Sequence, residues 1–79
     1  MKATLEQNKM NTKKLINKIC PCINKIKENK GKTLSYIVDG YKYNKDVCNN
    51  TKSFFEEEGY IVSIKELNSF LYEMIIKWR

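Results

Sequence analysis

Two hydrophobic periods divide the chain. Along its first third, Ile16, Ile19, Ile23 and Ile26 recur at spacings of three, four and three, with Leu15 alongside. That spacing predicts one face of an amphipathic helix. Lys13, Lys14, Lys18, Lys25 and Lys27 occupy much of the remaining helix surface. Thr4-Leu5-Glu6-Gln7 has the form of a capping box, and Thr12 is a second start signal. Gly31, directly after Lys30, is the expected C′ stop. Pro21 lacks a backbone donor and crowds the preceding turn, at a cost of about 3 kcal/mol in a helix interior. The isoleucine period passes through Pro21 without changing phase. One helix kinked near Pro21 is therefore favoured over two helices with Pro21 opening the second.

Along the last third the period is two. Tyr60, Val62 and Ile64 alternate with residues of mixed character, and Phe70, Tyr72, Met74, Ile76 and Trp78 form an unbroken apolar set. Such alternation predicts a hairpin of two strands with one buried face. Parity constrains its loop. A two-residue turn at Asn68-Ser69 sets Val62 against Ile75 and mismatches the faces. The odd loop Leu67-Asn68-Ser69 pairs Ile64 with Tyr72, Val62 with Met74 and Tyr60 with Ile76, and a five-residue loop centred on Asn68 keeps that register. Leu71 and Ile75 make the second strand apolar on both sides, which predicts a central position.

Between these segments Thr33-Leu34-Ser35-Tyr36-Ile37-Val38 is strand material, ended by Asp39-Gly40. Tyr41-Lys42-Tyr43 is too short for a return strand and is predicted as a turn or loop. Asn44 is the expected N-cap of a second helix, and Asp46 lies in its first turn, where negative charge suits the helix dipole. Val47, Thr51, Phe54 and Phe55 follow helical spacing, and Gly59 closes the helix.

The predicted fold class is α+β. It is a two-layer α-β-α-β-β sandwich with a three-stranded mixed sheet of order 1-3-2 and both helices on one face. Residues 1–79 make a single domain, with residues 1–11 as a frayed extension of the first helix. Ile37, Ile61, Leu71 and Ile75 fall on the uncovered sheet face. That predicts a homo-oligomer or a face for a target protein.

Charge sharpens the partner question. Residues 1–32 hold nine Lys against two Glu, a net of +7, while residues 33–79 hold five Lys and one Arg against two Asp and five Glu, a net of −1. Such asymmetry suits an acidic partner. If that partner is nucleic acid, Lys13, Lys14, Lys18 and Lys25 supply the phosphate contacts. Yet Lys outnumbers Arg fourteen to one and Asn occurs nine times, an enrichment that an AT-rich genome also produces. Phosphate and base-edge recognition draws on Arg, and here the only Arg is Arg79. Tyr36, Tyr41, Lys42, Tyr43 and Lys45 are the more suggestive set. Aromatics interleaved with lysines stack on rings while neutralising phosphate, and they sit beside a helix N-terminus. A nucleotide-type ligand or a protein is the expected partner there.

The chemistry of catalysis is thin. The chain has no His, and Glu56-Glu57-Glu58 reads as the solvated end of a helix. Cys20, Cys22 and Cys48 are an odd number, and Cys20-Pro21-Cys22 is too closely spaced for a CxxC site. No glycine-rich phosphate loop exists, because Gly31, Gly40 and Gly59 stand singly at element boundaries. No enzyme activity, metal or cofactor is expected. The opening residues have no apolar run, and no stretch approaches the roughly 20 apolar residues of a membrane span. A soluble intracellular protein with no membrane partner is expected.

Gly31-Lys32, Phe55-Glu56-Glu57-Glu58-Gly59-Tyr60-Ile61-Val62 and Ile76-Lys77-Trp78 together form a pattern. Over residues 12–78 the chain resembles small accessory proteins of tailed bacteriophages. Those share an amphipathic first helix, a Gly-Lys step into a strand, a helix ending in Leu/Phe-x-x-x-Gly-Tyr-x-Val and a last strand closing in Ile-x-Trp. Ile76-Lys77-Trp78 departs from the frequent Ile-Ser-Trp, and Cys20-Pro21-Cys22 lies outside the pattern. The resemblance implies a viral origin and the host cytoplasm as workplace. It implies no particular chemistry, but small phage proteins of this size that do have roles often block host defence or transcription, by binding a protein or sequestering a nucleotide signal. A non-enzymatic binding protein acting on a host component is therefore the leading expectation. A basic nucleic-acid-binding protein using the first helix, and a structural or assembly protein using the apolar sheet face, are the alternatives.

Overall fold

A computed structural model describes residues 5–79. Its elements are α1 (Leu5–Glu28), β1 (Thr33–Asp39), α2 (Lys45–Glu57), β2 (Ile61–Asn68) and β3 (Leu71–Lys77). The strand order is β1-β3-β2, with β3 antiparallel to both neighbours. The fold is thus the expected α+β sandwich, with the helices packed on the sheet. The sheet is not mixed, however. β1 and β2 run the same way but never pair, because β3 separates them, so both ladders are antiparallel.

α1 runs unbroken through Pro21. Pro21 deprives the Asn17 carbonyl of its usual partner. Both residues lie on the exposed side of the helix, so the unpaired oxygen is on the solvent side and not in the core. The inward stripe is Leu15, Ile19 and Ile23, each at most 2% exposed. Thr4 of the capping box lies outside the described residues. Thr12 is not a start but an interior residue, its hydroxyl donating to the Asn8 carbonyl at 2.7 Å. Residues 5–11 belong to α1, and Asn8 among them is buried.

The two helices stop in the same way with different residues. At the end of α2, Gly59 N–H donates to Glu56 O and Tyr60 N–H to Phe55 O, both at 3.0 Å, with Gly59 at φ 94°. This is a Schellman motif with glycine in the left-handed position. Tyr60 then packs edge-on against Phe55, ring centroids 5.6 Å apart. At the end of α1, Lys30 N–H donates to Lys27 O at 2.9 Å and Gly31 N–H to Ile26 O at 2.8 Å. The left-handed residue here is Lys30, at φ 62°, and not Gly31. Gly31 serves another purpose. A Cβ there would stand 2.4 Å from Ile26 Cγ2, so glycine lets the chain double back over the helix.

The hairpin differs from its expected register by two residues. Val62 opposes Ile76, Ile64 opposes Met74 and Glu66 opposes Tyr72, and the tip pairs Asn68 with Leu71 around Ser69-Phe70. Face parity is kept by a bulge at Leu67, between Glu66 and Asn68, which supplies the odd residue inside the strand instead of in the loop. Phe70 is consequently a turn residue and 42% exposed, not the first of the core set.

Val38, Val47, Phe55, Met74 and Ile76 close the core between sheet and helices, none more than 2% exposed. On the other sheet face Ile37, Ile61, Leu71 and Ile75 stand where expected, but in separate cross-strand rows. Ile37 opposes Glu73, Ile75 lies between Ser35 and Ser63, and Ile61 opposes Lys77. The Ser35 hydroxyl donates to Glu73 Oε2 at 2.5 Å on that face.

Candidate functional site

The turn from β1 into α2 does not gather the five residues expected to act together. Tyr43 is only 6% exposed, with its N–H donating to Asp39 O at 2.9 Å. Tyr36 is half-buried on the inner face of β1, opposite Met74. Lys45 lines a separate hollow of about 270 Å³ with Lys52, Glu66 and Tyr72. Tyr41 points away from all of these and is 83% exposed. A tight turn sends neighbouring side chains in different directions, so nearness in sequence does not become one surface.

The structure instead joins residues from the two competing readings. Lys14 and Lys18 of α1 meet Lys42 and Tyr43 in a groove of about 490 Å³. The Lys18 ammonium stands 5.7 Å from the Tyr43 ring centroid. The Tyr43 hydroxyl holds its pKa above the ordinary 10.5. Lys25 follows seven residues after Lys18 on the same flank of the helix, about 10 Å further along. Lys13 is exposed on a different side, 100° round from Lys14.

Tyr41 has a partner that sequence reasoning missed. Its ring stacks on Phe70, centroids 5.5 Å apart and planes 13° from parallel. Each ring is held by an Asx turn two residues upstream. Tyr41 N–H donates to Asp39 Oδ1 and Phe70 N–H to Asn68 Oδ1, both at 2.9 Å. The two loops are tied by Gly40 N–H donating to Phe70 O at 2.8 Å. A Cβ at Gly40 would meet that same oxygen at 3.0 Å, which is why glycine suits the crossing. Asn68-Ser69 carried the signal for this turn, but Phe70 shares the period of the core residues and was assigned with them.

At the opposite end of β3 the three stretches Gly31-Lys32, Gly59-Tyr60 and Trp78-Arg79 converge. Trp78 N–H donates to Lys32 O at 3.0 Å. Around this junction lies a cleft of about 530 Å³ lined by Lys27, Lys30, Lys32, Arg79, Tyr60 and Trp78, with Glu58 its one acidic residue. Lys27 Nζ donates to the Tyr60 hydroxyl at 2.7 Å and stands 5.0 and 5.7 Å from the Tyr60 and Trp78 ring centroids. The two rings meet edge to face at 5.9 Å. The Gly31-Lys32, Gly59-Tyr60 and Lys77-Trp78 steps of the sequence pattern meet here, but none of them by itself marks a cleft, because the lining comes from the ends of different elements.

Among the described residues no three His, Cys, Asp or Glu side chains gather where a metal ion could be held, and no helix is long and apolar enough to cross a membrane. Burial pushes the Cys48 thiol up to about 11, and burial with the Glu58 charge raises that of Cys20. Both shifts oppose the thiolate that nucleophilic chemistry needs. No family model matches the chain, and no curated protein or solved structure matches it either.

Proposed function

We propose that this is a non-enzymatic binding protein of the phage accessory type, which acts in the host cytoplasm by occupying a host protein, and that Tyr41 and Phe70 are its contact. The observation that carries this reading is the stacked pair itself. Of the chain's Phe, Tyr and Trp residues, two project from abutting loops at 83% and 42% exposure. Each loop is locked by its own Asx turn and by the cross-loop bond at Gly40. Rigid aromatic anchors presented in this way lose little entropy when they enter a partner's pocket. Leu67, at the bulge next to the hairpin tip, is a further exposed apolar side chain at this end of the sheet.

The experiment is quantitative capture of a target from bacterial lysate by wild type, Tyr41→Ala and Phe70→Ala. The expected result is one protein retained by wild type and lost from both variants, with melting temperatures held within the range of ordinary surface substitutions. Equal capture by all three overturns the reading. A second reading, nucleic-acid binding, is favoured by one observation. Lys14, Lys18 and Lys42 share a groove, so phosphate contacts from the helix and the loop would act together.

A further inference from the structure

The cleft at the Trp78 end of the sheet is distinct from the loop-tip contact, and its cations are hard to account for as structure. α1 carries Lys25 and Lys27 in its last turn, where they complement the helix dipole. That explanation does not extend to Lys32 or Arg79, which lie outside both helices. Nor does it explain why a lysine occupies the left-handed position at 30. A Cβ in that conformation costs energy, and glycine is the usual occupant, as Gly59 shows at the end of α2. Lys30 accepts the strain and lines the cleft.

The other half of the lining is aromatic. Tyr60 and Trp78 stand nearly perpendicular, and Lys27 is fixed against both by its bond to the Tyr60 hydroxyl. Four cationic side chains stand against one side-chain carboxylate and the negative C-terminal ends of α1 and α2, a positive balance that favours an anion, and half-buried rings favour a flat partner. A volume of about 530 Å³ admits a mononucleotide. We propose that this cleft binds a nucleoside polyphosphate, its base against Trp78 and Tyr60 and its phosphates on Lys30, Lys32 and Arg79. Binding is by capture, with no bond made or broken.

Trp78 is the chain's only tryptophan, so its fluorescence reads this cleft and no other. The experiment titrates the protein with ATP, tripolyphosphate, adenosine and a ten-residue oligothymidylate, following Trp78 emission. ATP is expected to quench it, tripolyphosphate to displace ATP with little quenching of its own, and adenosine to bind at least tenfold more weakly. Lys30→Gly separates binding from folding. It relieves the left-handed strain, so the melting temperature is expected to hold or rise, while ATP affinity falls by roughly tenfold with the loss of one charge-assisted contact. Lys32→Gln gives the same loss of affinity without touching the helix stop. ATP binding unchanged in both variants, ATP binding that leaves Trp78 emission untouched, or no binding at millimolar ATP overturns the proposal. Oligothymidylate quenching at lower concentration than ATP overturns the nucleotide class in favour of a strand. Because the readout is Trp78, failure here leaves the Tyr41–Phe70 contact standing, and the reverse.

Discussion

Asn44 Nδ2 donates to Asn8 Oδ1 at 2.9 Å across 36 positions of chain, while Asn44 Oδ1 accepts from Val47 N–H at 2.9 Å. One side chain therefore caps α2 and fastens it to α1. Asn8 is only 7% exposed, so the bond also satisfies a buried amide. Asn44→Ala is expected to lose about 1 kcal/mol for the cap and about 1–3 kcal/mol more for the stranded Asn8. In urea denaturation a double-mutant cycle with Asn8→Ala should give a coupling above about 0.5 kcal/mol. Additive losses would mean the two residues act separately.

Gly40 and Gly59 are expected to fail differently. Gly59→Ala meets nothing within 4 Å, but φ is +94°, so its cost of about 1 kcal/mol is conformational. Gly40→Ala drives a Cβ against the Phe70 carbonyl, an overpacking cost of about 1–3 kcal/mol. Only the second should shift the Tyr41 and Phe70 ring resonances in NMR spectra. Ring shifts in both variants, or in neither, would contradict the account of the crossing.

The lysines of α1 can be sorted by salt dependence. If nucleic acid binds, Lys14→Gln, Lys18→Gln and Lys42→Gln should each flatten the log-log salt slope by about 1. Lys13→Gln, which lies outside the groove, should leave it unchanged. Equal effects from all four would show a diffuse charge effect and remove the case for the groove.

The thiols should react in an order set by burial. Cys20 and Cys22 are half-buried, burial and then the Glu58 charge push the Cys20 thiol up, and Cys48 is 1% exposed with its pKa pushed up to about 11. Alkylation of the native protein at neutral pH should modify Cys22 first and Cys48 only on unfolding. The folded pKa of Cys48 is raised above the ordinary 9.0. Its contribution is therefore intact below pH 9 and lost as pH rises toward 11, at no more than about 1.4 kcal/mol per pH unit. Cys48→Ala should remove that alkaline dependence from urea midpoints. A midpoint that falls equally in the variant would assign it to other groups.

The outer sheet face is expected to support no stable dimer by itself. Three strands of about seven residues present about 300 Å² in projection, against about 800 Å² per partner in a standard interface. The apolar rows there are also interrupted by Glu73, Lys77, Ser35 and Ser63. Light scattering at micromolar concentration should give a monomer. A dimer dispersed by Ile75→Lys would restore the homo-oligomer that the apolar positions suggest.

Much of the fold was legible because burial writes itself into spacing. Leu15, Ile19 and Ile23 announced α1, and Tyr72, Met74 and Ile76 announced the inner face of β3. Face parity was legible too, but register was not, since a bulge at Leu67 and a longer loop satisfy the same parity. Lys30 could not be told from Gly31 as the left-handed residue, because glycine also permits the close approach to Ile26. The candidate sites were least legible. Tyr36, Tyr41 and Tyr43 are near in sequence and scattered in space, whereas Lys30, Tyr60 and Trp78 are far apart in sequence and share a cleft. Local pattern reports which side a residue faces, not which distant residue it meets.

Phe70 precedes β3 and Trp78 follows it, so one short strand has its two ends at the two surfaces. A slip of two residues would keep every β3 side chain on its own face and cost the hydrophobic pattern little. It would nonetheless carry Trp78 and Phe70 about 7 Å along the strand axis, out of the cleft and off Tyr41 together. The alignment of β3 is therefore a shared variable. Any contact that fixes Trp78 also opposes such a slip, and through the same strand it favours the alignment that sets Phe70 against Tyr41.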